Sequence, residues 1–136
     1  MHPLATLIDR HGVTVEDHLD TDALVPILAG LQRQGDVIVI PNHKDTATTR
    51  VPTSGVPVVR GEAGGNTHTI LADGPGVCCD THQASATNLT LATLTVPEGS
   101  TAYLAHPEHA YTGIGPGSYT LRRQREQADE LRMVAD

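Results

Sequence analysis

The stretch "TNLTLATLTVPEGSTAYLAH", residues 87–106, decides the fold. Threonine alternates with apolar residues, a two-residue period built from strand-favouring side chains. The alternation slips once. Leu89 and Leu91 share one parity, whereas Ala92, Leu94 and Val96 share the other. That slip predicts a β-bulge near residues 91–92, or burial on both faces. "VPEG" has proline second and glycine fourth, as a type I turn requires. "STAYLAH" is then expected to return antiparallel to the first strand.

Outward from this stretch the same pattern recurs. "DVIVIP" reads as a short β-branched strand, and "NHKDTATTRVPTSG" as a polar, proline-punctuated, mobile loop. "VPVVRGEAGGNTHTI" reads as a hairpin turning over residues 63–66. Its expected register pairs Glu62 with Thr67, Gly61 with His68 and Val59 with Ile70. His68 then ends an apolar row. "GIGPG" is a turn, not a phosphate loop, because proline removes a donor and no helix follows. "SYTLRRQRE" is a strand with Tyr119 and Leu121 facing inward.

The beginning of the chain looks different. Leu24, Ile27, Leu28 and Leu31 fall on one stripe at helical spacing, with Asp20, Thr21 and Asp22 as caps and Gly35 as the stop. Pro26 sits near the first turn, where it costs little. A shorter helix is expected over residues 3–10. One domain follows, with a helical segment over 1–35 and a mainly β part over 36–136. The expected architecture is a small antiparallel sandwich or open barrel, possibly cupin-like, with the helix packed across an end or face.

Composition narrows the function classes. The 136 residues include no Trp, no Phe and three Tyr. The core must therefore be aliphatic, with tyrosines at its margins, and recognition by broad aromatic stacking is disfavoured. A net charge of -7 disfavours nucleic acid. Basic residues nevertheless concentrate at Arg122, Arg123, Arg125 and Arg132. They could meet an acidic partner, such as the acidic N-terminal third of another copy, although charges on a solvated strand and tail are the simpler explanation. With no basic leader, no long apolar run and only the adjacent pair Cys78-Cys79, a cytoplasmic protein with reduced thiols is expected, not a membrane protein.

Known catalytic signatures are missing, and histidine remains. His106 and His109 lie three apart in H-P-E-H, where a turn could converge them on one ion. His68 and Glu62 are the candidates to complete the shell of a divalent transition metal, whose identity the ligand types do not select. The competing reading makes His68 a core-edge histidine and His106–His109 a polar turn. Metal-free acid–base work by the same histidines is a further possibility, with Arg122 or Arg125 holding a carboxylate or phosphate of a small polar ligand.

The segments "GDVIVIP", "VVRGEAGGNTHTI", "HPEHAYTGIGPGSYTLRRQRE" and "LRMVAD" resemble a group of small uncharacterised bacterial proteins. Their motifs are G-E-x-x-G-H-x-H, H-x-E-H and a P-G-x-Y…Q-R-E-Y ending. The likeness spans roughly residues 35–136. It carries over Gly61, Glu62, Gly65, His68, His106, Glu108, His109, Gly117, Tyr119, Gln124, Arg125 and Glu126. Asn66 stands where the group has histidine, and Gln127 where it has tyrosine. Asn66 is a poor transition-metal ligand beside imidazole, which weakens a metal site in this member. The resemblance implies a shared fold and site, not a reaction.

The expectation is thus a homo-oligomeric metal- or ligand-binding β module with a histidine-lined site. The alternatives are a small metal-assisted, cupin-like enzyme and a structural self-assembling subunit.

Overall fold

The computed structural model describes residues 2–11, 25–59, 67–82, 89–107 and 109–123. Helix α1 (Leu4–His11) is followed by ten strands: β1 (Ile27–Leu28), β2 (Gln32–Gln34), β3 (Val37–Pro41), β4 (Val56–Val59), β5 (His68–Asp73), β6 (Cys78–Thr81), β7 (Thr90–Val96), β8 (Thr101–Ala105), β9 (Thr112–Ile114) and β10 (Gly117–Arg123). They form two five-stranded sheets, ordered β1-β9-β8-β5-β4 and β2-β3-β10-β7-β6. Among the described strands, only β1 and β9 pair parallel. Neither sheet closes on itself, so the fold is a small mainly β sandwich. Among the described residues no helix is long and apolar enough to cross a membrane.

Period-2 patterning explains the main core. Val37 and Val39, Cys79, Ala92 and Leu94, and Tyr119 and Leu121 come from the second sheet; Ile70, Ala102 and Leu104 come from the first. The first sheet is buried on its other face too. There Leu71, Tyr103 and Ala105 pack against Leu4 and Leu7 of α1. One sheet therefore separates two apolar layers, and its strands read as nearly continuous apolar runs.

The bulge lies where the slip in alternation puts it. Leu121 pairs with Ala92 but Arg122 with Thr90, leaving Leu91 unpaired in β7. A turn does form here, but one residue later than expected and not as type I: Ser100 N–H donates to Pro97 O at 3.1 Å, so proline is its first residue and Gly99 its third, at φ 85°. It is a corner, however, not a hairpin: β7 belongs to the second sheet and β8 to the first. Proline at the corner contributes no ladder donor, which lets the chain leave one sheet for the other.

Other expectations are corrected. The helix through Leu24, Ile27, Leu28 and Leu31 is absent where the chain is described: Ile27–Leu28 and Gln32–Gln34 are strands. Leu28 and Leu31 are 53% and 65% exposed, so the helical stripe is not the buried one. Pro26 and Gly30 both weaken a helix, while the carbonyls of Pro26 and Leu28 accept from Gly113 and Gly115 at 2.8 Å. Asp20, Thr21, Asp22 and Leu24 lie outside the described residues. The hairpin register shifts, with Val59 opposite His68, Val56 opposite Ile70, and an irregularity between Pro57 and Val59. Val58 and not Val59 joins Ile70 in the core. The 42–50 segment is pinned, since Ala47 N–H donates to Thr95 Oγ1 at 2.8 Å and Thr49 N–H to Asp80 Oδ1 at 2.9 Å. Finally, the tyrosines are not marginal. Tyr103, Tyr111 and Tyr119 are each at most 3% exposed, because they are the only large rings available to fill the widest spaces.

β1 approaches β9 so closely that a Cβ on Gly113 would lie 2.6 Å from Pro26 O and 2.8 Å from an Ile27 side-chain carbon. Gly113→Ala should therefore displace β1 and cost about 1–3 kcal/mol, read from urea unfolding. Gly30→Ala, where an added Cβ meets nothing within 4 Å, is the control expected near zero.

Candidate functional site

Antiparallel register brings the histidines together. Thr69 of β5 pairs with Ala105 of β8, so the next positions outward on the two strands are His68 and His106. Both share parity with the core residues Ile70 and Leu104, and both point toward the sandwich interior at its open end. They are 4% and 2% exposed. His109, on the connection to β9, completes the group. Ring centroids are 4.4 Å apart for His68–His106, 4.3 Å for His106–His109 and 6.1 Å for His68–His109.

The opposite sheet closes this end with the β2–β3 turn. Gly35 adopts φ 55°, and a Cβ there would lie 2.8 Å from His109 Nε2 and 3.4 Å from His68 Cε1. Only glycine lets the turn come this close to the rings without displacement. Beside it Gln34 is 3% exposed and spans the two sheets. Its Nε2 donates to the carbonyls of Leu104 and Ala110, both at 2.8 Å.

Those two bonds use both amide hydrogens and fix which way the Gln34 amide points. Its Oε1 must then accept, so His68 Nδ1, 2.9 Å away, is the donor. Neutral His68 therefore carries its lone pair on Nε2. His106 has the opposite arrangement. Its Nδ1 accepts the backbone N–H of His109 at 3.2 Å, which puts the ring proton on Nε2. A buried carbonyl-like acceptor orienting an imidazole through Nδ1–H is the outer-sphere support that ligating histidines use.

The electrostatics favour a neutral His68. Burial, reinforced by His106, His109 and Arg123, lowers the His68 pKa from 6.5 to about 4. Among the described residues, no three His, Cys, Asp or Glu side chains are disposed to hold an ion as they stand. The bond between His106 Nδ1 and the His109 backbone gives one reason, because it commits His106 to a tautomer with no lone pair on Nε2. The cysteines offer little either. Cys78 and Cys79 are unpaired, and burial with the nearby Asp80 charge pushes the Cys79 thiol up to about 12.

The structure thus gathers His68, His106 and His109. Glu62, Glu108 and Arg125 lie outside the described residues, and Arg122 is exposed near the end of β10. Arg123, not Arg122, acts electrostatically on His68. Gln34 and Gly35 escaped the sequence reading because residues 20–35 scanned as a capped helix. The signal that could have found them is the short, turn-linked spacing of "QRQGDVIVIP", which suits a tight hairpin.

A stability trend follows from the His68 shift. Below pH 6.5 the unfolded chain binds a proton at this residue, whereas the folded chain resists it until about pH 4. Stability from this group is therefore complete above pH 6.5 and falls as pH drops from 6.5 to 4, by up to about 3 kcal/mol. Urea midpoints across that range should show the loss, and His68→Gln should flatten it.

No curated protein and no solved structure matches the chain significantly. A family model described as a domain of unknown function, DUF8820, matches residues 33–124. Those bounds run from the β2–β3 hairpin to just past β10 and enclose all three clustered histidines. The chain accordingly belongs to the DUF8820 family, a domain family of unknown function.

Proposed function

We propose that this protein is a small binding module whose histidine-lined rim takes a divalent transition-metal ion. The observation that carries the reading is the Gln34-oriented His68: a buried imidazole whose Nδ1 is held as a donor and whose Nε2 carries the lone pair. A ring with a pKa near 4 has no proton to lose at neutral pH, which removes the usual proton competition with metal. Spacing supports the same reading. A metal–nitrogen bond of about 2 Å puts each ring centroid about 3 Å from the ion, so rings sharing one ion have centroids about 4.5–6.5 Å apart. The observed 4.3–6.1 Å requires only ring rotation to approach that range. His106 joins by releasing the His109 backbone N–H, and Glu62 is the carboxylate candidate for a remaining position.

Calorimetric titration of untagged protein with Zn²⁺, Ni²⁺ or Co²⁺ should give one ion per chain with Kd on the order of micromolar or tighter. His68→Ala and His109→Ala should each weaken it by about tenfold or more. Binding no tighter than millimolar, or wild-type affinity in both variants, would refute the site. A Co²⁺ spectrum showing an exchangeable position favours the metal-assisted enzyme, and a closed shell favours a structural ion.

A homo-oligomer belongs to the same proposal. Leu28 and Leu31, the two large apolar side chains exposed among the described residues, stand where β1 ends and β2 begins, along the outer strands of both sheets. Burying them against another copy covers open strand edges. Light scattering should report a multimer that Leu31→Asp dissociates; a monomeric wild type refutes it.

A further inference from the structure

On the outer face of the second sheet, register sets Asp80, Thr93 and Thr120 side by side on β6, β7 and β10. Their strand neighbours Cys79, Leu94 and Leu121 point into the core, so these three point away from it. The segment after β3 folds over them, held by the Ala47 bond to Thr95 and by the Thr48 and Thr49 N–H groups on the Asp80 carboxylate. Those bonds, with the Thr49 hydroxyl foremost, hold Asp80 below the usual carboxylate range. Between sheet and segment lies a cleft of about 500 Å³, and every residue lining it is polar.

We propose that this cleft binds a neutral polyhydroxylated molecule of monosaccharide size, independently of the histidine rim. The groups left unspent define the ligand. Thr120 Oγ1 accepts from Asn42 Nδ2 at 2.9 Å, leaving its own O–H to donate. Asp45 has one oxygen bonded to Asn42 at 3.1 Å and the other available to accept. Thr93 and His82 share a hydrogen bond at 3.2 Å. Lys44 also lines the cleft and makes no ion pair among the described residues. Donors and acceptors are thus interspersed, as vicinal hydroxyls require, since each hydroxyl both donates and accepts.

Charged ligands fit worse. An anion faces the carboxylates of Asp45 and Asp80. A cation faces Lys44 and finds Asp80 already saturated by N–H donors. A neutral polyol meets neither penalty. With no aromatic platform among the lining residues, affinity rests on hydrogen bonds alone and lies on the order of millimolar.

The test is an amide-resolved NMR titration of the ¹⁵N-labelled full chain with D-glucose, D-galactose, D-mannose and myo-inositol, each to about ten times a millimolar Kd. Sodium phosphate and spermidine are the charged probes. Saturable shifts at Thr46, Asp80, Thr93 and Thr120 with at least one polyol are expected, lost in Thr120→Val and weakened at least severalfold in Asp45→Asn. Both substitutions preserve shape, and the same spectra confirm that each variant is folded. Three results overturn the proposal: no saturable shift with any of the four polyols, polyol shifts unchanged in both variants, or saturation at these residues by phosphate or spermidine alone.

Discussion

Gln34 is the side chain on which the histidine end of the sandwich depends. A buried carbonyl without a donor costs about 1–3 kcal/mol. Gln34 crosses from the second sheet to donate to Leu104 of the first and to Ala110 on the connection between β8 and β9. Having spent both hydrogens there, its amide can offer His68 only an oxygen. A requirement of packing therefore dictates the tautomer of a ring that packing alone would leave undefined. Gly35 adds the second constraint by letting the turn reach the imidazoles.

A chain without Phe or Trp achieves this architecture by layering. Small and branched aliphatic residues fill the space between the sheets, and the three tyrosines serve as the bulky fillers. Tyr119 satisfies its hydroxyl on Gly115 and Pro116. Tyr103 and Tyr111, both in the layer beneath α1, bury hydroxyls that find no partner among the described residues.

The strands were legible wherever alternation and β-branching agreed, down to the unpaired Leu91. So was the company of His68 with His106 and His109, and antiparallel pairing of β5 with β8 is what sets the start of one strand beside the end of the other. What could not be read were events decided by distant partners. Pro26–Leu28 carries an apolar stripe suited to a helix, yet the close parallel approach to Gly113 makes it a strand. The Pro97 turn was placed one residue early and wrongly connected, since local turn chemistry does not say which sheet receives the next strand. Gln34 carries no motif at all. Its role exists only once β2, β8 and the 109–111 connection are assembled.

The position of β10 has a consequence for biosynthesis. It is the last strand described, yet it occupies the middle of its sheet, between β3 and β7. While a ribosome is still extending the chain, those two strands present unpaired backbone edges and a half-built apolar face. Such a nascent intermediate has many distant contacts still to make and is prone to cling to its neighbours. Docking of β10 then pairs both edges at once, and exposure until that moment is the vulnerability this topology imposes.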